Sequence, residues 1–323
     1  MNGKSTLAVS AAVSLIAAAV TYVSMQPTPP DPRVRQIAVH AAGDRVAAAL
    51  ADGRVFTWPL AGNATPVSHL VSPGGINDLE FSPNGSRLGV AASNLALATW
   101  DRRTVPEYLR DDSDHYGAAR FDVAGKRLAT VSGRSQLLVI DIASENASAM
   151  CCSSIEGDVR WLPGDDLIAS AGHWPTVWDA ATGKVIARLT REREFMTFVP
   201  IVVLAPRDEV LMGSQDGGIR AWSMNDFKPT ASSPRTPGWV ETMALRPGTE
   251  WIAYAQRGNH VRWWDRATNQ RREWPHVRTE STLAFTPAGR LLTGTMDGRV
   301  QEWDAASGEP TREWNLLGNP GVQ

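Results

Sequence analysis

The sequence has few cysteines and no excess of basic charge. Its two cysteines, Cys151 and Cys152, are too few for a disulfide scaffold. We interpret them as small side chains on an outer strand, with a strained vicinal disulfide as the alternative. The 32 Lys and Arg residues face 34 Asp and Glu residues, and the net charge is −2, so we expect no nucleic-acid partner. A hydrophobic fraction of 43% with 20% charged residues excludes a disordered polymer.

The sequence also lacks the short motifs that mark common catalytic sites. It contains no HExxH motif or close histidine pair for a metal, no GxSxG motif for a nucleophilic serine, and no GxxxxGK[ST] loop for nucleotide phosphates. We therefore expect no metal, no cofactor and no catalysis. Carboxylates that are distant in sequence and meet inside the fold are the remaining route to a catalytic or ligand-binding site.

A long apolar run stands near the N-terminus. Residues 6–23 are 18 consecutive uncharged residues, the lower limit for a helix that spans a bilayer. We predict that residues 1–25 contain a membrane anchor, with a cleaved signal peptide as the alternative. The proline-rich stretch QPTPPDP predicts an extended spacer over residues 26–34. We expect the rest of the chain to lie on the periplasmic or another extracytoplasmic side, either tethered or released.

Tryptophan is unusually frequent, with 13 residues against 7 Phe and 4 Tyr, and it recurs at a regular interval. Alignment on the residues that close a short apolar run gives intervals of 42, 40, 38, 44, 42 and 39 residues, with Ile140 in the third copy. A turn that contains Gly or Asp recurs in the same register. Seven copies of one unit therefore occupy residues 35–316, followed by a tail over 317–323. The structural repeat residues are Trp58, Trp100, Trp178, Trp222, Trp264 and Trp303.

Each copy resolves into four short strands. Apolar or alternating runs bounded by Gly, Pro, Asn and Asp are typical of antiparallel strands, and Asp-Gly pairs predict tight turns at Asp52, Asp216 and Asp297. Because one four-stranded sheet cannot bury both of its faces, seven sheets are expected to pack radially with the recurrent tryptophan between neighbours. The predicted fold is all-β, a seven-bladed β-propeller of four-stranded antiparallel sheets preceded by one apolar helix. The first copy begins at RQIAVH and the last ends at PTREWNL, which predicts 28 strands with none exchanged.

This repeat resembles that of the WD40-repeat β-propellers over residues 35–316. The Trp-Asp pair that closes the third strand in that family stands at Trp100-Asp101, Trp178-Asp179, Trp264-Asp265 and Trp303-Asp304. The corresponding pairs in the other copies are Trp58-Pro59, Ile140-Asp141 and Trp222-Ser223. The family's Gly-His dipeptide precedes the first strand of no copy. Its His–Asp–Ser/Thr–Trp hydrogen-bond network is therefore not implied, and we interpret the Asp-Gly aspartates as turn formers.

The resemblance implies a rigid ring that binds a protein or peptide on one face. The turns between second and third strands are expected beside the mouth of the channel, and they contain residue types favoured at binding hot spots. The candidate rim residues are Arg54, Arg134, His173, Trp174, Arg257, His260 and Arg299. We predict a non-catalytic interaction platform. The alternatives are an exported propeller enzyme or small-ligand binder that uses the channel mouth, and a purely structural spacer.

Overall fold

A computed structural model describes part of the chain: residues 31–318 except 63, 73–74, 100–106, 111–113, 135, 151–154, 173–174, 190–197, 257–259 and 280–281. Contacts divide the chain into the units Met1–Asp31 and Pro32–Gln323. Several predicted features lie outside the described residues: the apolar run 6–23, Trp100-Asp101, Cys151, Cys152, His173, Trp174 and Arg257. None of the residues that the structure describes forms a helix of the length and apolarity that a bilayer crossing requires.

The described residues form 28 β-strands, which fall in chain order into seven groups of four. Sheet 1 contains β1 Val34–Val39, β2 Arg45–Leu50, β3 Arg54–Pro59 and β4 Val67–Leu70. Sheet 2 contains β5 Ile76–Phe81, β6 Arg87–Ala92, β7 Leu95–Thr99 and β8 Glu107–Arg110. Sheet 3 contains β9 Arg120–Phe121, β10 Arg127–Val131, β11 Leu137–Asp141 and β12 Ala147–Met150.

The remaining four sheets repeat this arrangement. Sheet 4 contains β13 Ile155–Trp161, β14 Leu167–Gly172, β15 Thr176–Asp179 and β16 Val185–Arg188. Sheet 5 contains β17 Phe198–Leu204, β18 Glu209–Ser214, β19 Ile219–Ser223 and β20 Pro229–Ser232, with the 3-10 turn Ala205–Arg207 after β17. Sheet 6 contains β21 Thr242–Leu245, β22 Trp251–Ala255, β23 His260–Asp265 and β24 Gln270–Arg278. Sheet 7 contains β25 Leu283–Phe285, β26 Leu291–Gly294, β27 Arg299–Trp303 and β28 Pro310–Asn315.

Every sheet is a meander of consecutive antiparallel strands, from an inner first strand to an outer fourth strand. A single backbone pairing between Gly172 and Phe198 also links sheets 4 and 5. The first and last sheets meet directly, since the Val34 N–H donates to the Thr295 carbonyl at 3.0 Å, and they share no strand. The structure thus confirms the predicted seven-bladed ring of 28 strands with none exchanged.

Seven hydrophobic clusters hold the ring together, one at each junction between neighbouring sheets. The repeat tryptophans that the structure describes are all buried, and each packs in the cluster between its own sheet and the preceding one. Ile140 fills the same position in sheet 3. Burial of such a side chain between two sheets stabilises the fold by about 1.5–3 kcal/mol.

Part of the family's hydrogen-bond network is present even without the Gly-His dipeptide. The Trp178 indole N–H donates to Ser170 Oγ at 2.9 Å, and the Trp303 indole N–H donates to Thr293 Oγ1 at 3.0 Å. Each bond joins the third strand to the second strand of one sheet. The sequence did not predict these two bonds, because the missing Gly-His dipeptide argued against the complete four-residue network and its separate parts were not considered.

Candidate functional site

One face of the ring is built from loops that connect strands on the same side. Because consecutive strands are antiparallel, the turn between the second and third strands lies at the same end of a sheet as the connection to the next sheet. We call this side the connection face. Loops on a rigid scaffold are common positions for binding residues. The described rim residues lie in these turns or begin the strand that follows: Arg54, Arg134, His260 and Arg299.

Two predicted rim arginines are held by ion pairs on the connection face. Arg54 Nη2 lies 2.6 Å from Asp52 Oδ2, and Arg299 Nε lies 3.0 Å from Asp297 Oδ2. Arg299 also reaches Glu313 with a distance of 2.8 Å. The aspartate of each Asp-Gly turn thus fixes the arginine that follows it. The Asp52 carboxylate also accepts the Arg54 backbone N–H at 3.1 Å, which confirms its role as a turn former.

The described rim residues are spread around the ring. Arg134 lies in the turn between β10 and β11, where Nε is 3.5 Å from Asp114 Oδ2, and 68% of its side chain is exposed. His260 is the first residue of β23. Together with Arg54 and Arg299, these residues belong to sheets 1, 3, 6 and 7, so the structure does not gather them into one cluster.

An exposed tryptophan that the sequence analysis overlooked lies on the connection face. Trp239 stands in the connection between sheets 5 and 6, and 59% of its surface is exposed. By contrast, the described repeat tryptophans are buried. Trp239 closes no strand, so the repeat alignment carried no signal for it.

The connection that carries Trp239 is firmly anchored to the ring. On one side of it, the buried Gln256 Nε2 donates to the Gly238 carbonyl at 2.8 Å and to Thr236 Oγ1 at 3.2 Å. On the other side, Val240 is buried and its N–H donates to the Ser214 carbonyl at 3.1 Å. The indole is therefore displayed to solvent by a backbone that is fixed before any partner binds.

Two further apolar side chains are exposed on the same face. Met296 lies in the turn between β26 and β27 and is 53% exposed, and Leu317 follows β28 and is 42% exposed. A Cβ on Gly298, whose φ is +81°, would lie 2.9 Å from Leu317 Cδ1. The lack of a side chain at Gly298 thus allows both the positive φ of the turn and the close approach of Leu317.

The inner strands surround a central channel with a cavity of about 580 Å³. Its wall combines apolar side chains, such as Ile37, Leu79 and Leu283, with charged side chains of sheets 2, 3 and 4. The carboxylates come from positions about eighty residues apart in sequence. The sequence alone did not show whether distant carboxylates meet inside the fold, and the structure shows that they do.

Arg120 occupies the centre of this charged group. It bonds Asp78 of sheet 2 through Nη1, and Nη2 lies 3.1 Å from Asp158 Oδ1 of sheet 4. All three side chains are at least nine-tenths buried. Burial raises the pKa of both aspartates, and the charge of Arg120 opposes this shift. For Arg120, burial alone would lower the pKa, but the neighbouring carboxylates raise it above its ordinary value. The pairs therefore join the inner strands of three sheets.

Glu80 and Arg160 extend this group toward the channel. Glu80 Oε1 lies 3.6 Å from Arg160 Nη1, and the two side chains are 32% and 30% exposed. Burial against the protein raises the pKa of Glu80 to about 7; Arg120 opposes this shift, while the charges of Asp78 and Asp158 add to it. Guanidinium groups separate the carboxylates, and the described part of the chain offers no group of three His, Cys, Asp or Glu residues that could hold a metal ion.

Hydrogen bonds between backbone N–H groups and side-chain oxygens link neighbouring sheets around the channel. An inner strand is a sheet edge, and the N–H groups on its open side have no partner within the sheet. At one equivalent position of the inner strand, an acidic or hydroxyl side chain accepts an N–H from the next sheet. The four bonds are Ala119 N–H to Asp78, Ile201 N–H to Asp158, Leu283 N–H to Thr242 and Ile37 N–H to Thr282, with distances of 2.9, 3.1, 3.2 and 3.1 Å.

These bonds had a signal in the sequence. The inner strands INDLEF and IEGDVRW place charged side chains inside otherwise apolar segments. Such residues are expected to be paired, because an isolated buried charge is costly. Their partners lie one repeat away, so only the ring brings them together.

Comparison with known proteins agrees with this architecture. The family model described as "WD domain, G-beta repeat" matches residues 275–304, which contain β25, β26 and β27 of sheet 7. No curated protein matches the chain. The matched repeat and the closed ring of seven four-stranded sheets support the WD40-repeat β-propeller family.

Proposed function

We propose that this protein is a non-catalytic platform that binds a protein or peptide on its connection face, with Trp239 as the central anchor. The WD40 propeller fold is consistent with such a platform, and propellers of this family are typically non-catalytic. The observation that carries the proposal is the anchored connection between sheets 5 and 6, which exposes 59% of Trp239. A rigidly displayed indole offers a large contact area at low cost in conformational entropy.

The other exposed groups of this face fit the surroundings of such an anchor. Met296 and Leu317 add apolar area, and Arg235 adds a cation whose side chain is 70% exposed and lies 3.0 Å from Asp216. A binding surface of this kind combines an apolar centre with a polar rim. The predicted rim residue Arg299 begins β27 after the turn that contains Met296 and supplies a charged group to the polar part of this surface.

The test is quantitative capture of partners by the full-length chain and by its Trp239→Ala variant. If Trp239 is a hot spot, its truncation costs about 2 kcal/mol of binding energy, which is about a thirtyfold loss in affinity. The matched control is Val123→Ala, because Val123 is exposed in the turn between β9 and β10 on the opposite face. Equal recovery of the same partners by both variants and the unmodified chain contradicts the assignment.

We further propose that residues 6–23 tether the platform to a membrane or direct its export. The length and lack of charge of this run support the proposal. Membrane fractionation of cells that express the full chain distinguishes the two cases. A membrane-bound protein with an intact N-terminus indicates an anchor, and a released protein that begins after this run indicates a cleaved signal.

A further inference from the structure

The wall of the central channel contains more carboxylates than cations. Its charged lining residues are Asp78, Glu80, Asp158 and Glu241 on the negative side and Arg120 and Arg160 on the positive side. Within the group that the ion pairs connect, the two guanidinium groups of Arg120 and Arg160 face the three carboxylates of Asp78, Glu80 and Asp158, so one negative charge is in excess when all are ionised.

The carboxylate oxygens of Glu80 differ from those of the two aspartates. Asp78 and Asp158 both bond Arg120 and also accept backbone N–H groups of neighbouring sheets. Glu80 Oε2 accepts the Phe121 N–H at 2.7 Å. The distance from Glu80 Oε1 to Arg160 Nη1 is 3.6 Å, which is longer than a hydrogen bond. Among the described residues, Oε1 accepts no direct hydrogen bond. This oxygen is an open acceptor in the channel.

The cavity has the size and the wall of a site for a small organic molecule. Its volume of about 580 Å³ is within the range of ligand pockets, which combine apolar walls with a few polar groups. Ile37, Leu79, Met243 and Leu283 form part of the apolar wall. Such a wall suits a molecule that has an aliphatic stem and one charged end.

We propose that the channel binds a ligand with one alkylammonium or guanidinium group on an apolar stem, and that Glu80 is its charged partner. The cation supplies the hydrogen-bond donor that Oε1 lacks and compensates the negative charge shared by Glu80, Asp78 and Asp158. Arg120 and Arg160 stay in their present ion pairs. This binding is separate from the docking of a protein on the connection face.

Proton release accompanies this binding near neutral pH. Burial holds the pKa of Glu80 at about 7, so the carboxyl group is about half protonated at that pH. A bound cation favours the ionised form and lowers this pKa. We therefore expect release of up to about half a proton for each cation bound at pH 7.

The test is calorimetric titration of the full-length chain with n-butylammonium and n-butylguanidinium at pH 7, in two buffers of different ionisation enthalpy. The neutral n-pentanol and the anionic pentanoate serve as matched probes. We expect the two cations to bind with proton release and the other two probes to bind at least about tenfold more weakly. Equal binding of n-pentanol, or no binding of either cation, overturns the proposal.

The variants separate a site at Glu80 from a general effect of charge. Glu80→Gln keeps the size of the side chain and an acceptor for Phe121, and we expect it to lose about tenfold in cation affinity together with the proton release. Glu107→Gln removes an exposed carboxylate on the outer strand β8 and is expected to bind the cations as the unmodified chain does. Unchanged affinity in Glu80→Gln overturns the proposal.

A further titration distinguishes the two sources of the cation. A blocked five-residue peptide with one central lysine and four glycines is compared with n-butylammonium. Tighter binding of the peptide, lost in Glu80→Gln, assigns the cation to a partner chain, and tighter binding of n-butylammonium assigns it to a free small molecule. Because Trp239 does not line the cavity, the loss of partner binding in Trp239→Ala and the loss of cation binding in Glu80→Gln are measured independently.

Discussion

Glu80→Gln is expected to make the protein more stable at pH 8 and to change its stability little at pH 5. The pKa of Glu80 is about 7 in the folded protein because the carboxyl group is buried near Asp78 and Asp158, against an ordinary value of 4.5. Between these two pH values, the folded state holds a proton that the unfolded state has lost. The contribution of Glu80 to the free energy of unfolding is therefore fully present below about pH 4.5 and is lost as the pH rises through 7.

The size of this effect follows from the shift in pKa. A shift from 4.5 to about 7 corresponds to an upper limit of about 3 kcal/mol. The Glu80 side chain is 32% exposed to the channel, and solvent screening reduces the expected effect to about 1–2 kcal/mol. Glutamine carries no charge at any of these pH values, so the variant avoids this loss.

Chemical denaturation at pH 5, 6, 7 and 8 measures the difference between Glu80→Gln and the unmodified chain. We expect the free energy of unfolding of the variant to exceed that of the unmodified chain by an amount that grows with pH. Glu107→Gln controls for the loss of one carboxylate on an exposed strand. A difference that is constant over this pH range, or that favours the unmodified chain at pH 8, refutes the argument.

Three further substitutions test the ring itself. Thr282→Val keeps the side-chain shape but leaves the Ile37 N–H without its acceptor at the junction between sheets 7 and 1. Chemical denaturation should show that the free energy of unfolding falls by about 1–3 kcal/mol, and an unchanged midpoint would show that this bond is dispensable. Arg120→Met removes the ion pairs of Arg120 with the buried Asp78 and Asp158 and should cost about 3–5 kcal/mol at pH 7 and less at pH 4. The same denaturation measurement checks this, and an equal cost at both pH values would contradict it. Gly298→Ala forces a side chain into a turn with φ of +81° beside Leu317, and thermal unfolding should show a loss of about 1–3 kcal/mol; retained stability would mean that the turn relaxes.

The repeat made the fold predictable. A period near forty, four short strands in each copy and an apolar residue or tryptophan at the end of the third strand led directly to the seven sheets that the structure shows. Each of these features is local, because a strand or a turn depends mainly on its own residues. The wedge role of Trp178 and Trp303 followed from the same reasoning, since a large side chain that recurs in every copy must be buried between copies.

The binding residues were harder to predict for a physical reason. Trp239 and the charged side chains of the channel belong to no repeated position that the alignment emphasised. The exposure of Trp239 depends on hydrogen bonds from Gln256, which directly follows β22 of sheet 6. The raised pKa of Glu80 likewise depends on burial inside the ring, and Asp158, which adds to the shift, and Arg120, which opposes it, each come from a different sheet.

The amino-acid sequence alone determined the all-β class, the number of sheets and the positions of the buried tryptophans, because strand periodicity and turn chemistry act over a few residues and recur in each copy. Only the tertiary structure decided which charges meet. Asp78, Arg120 and Asp158 stand about forty residues apart and come into contact because the ring places their inner strands side by side around one axis.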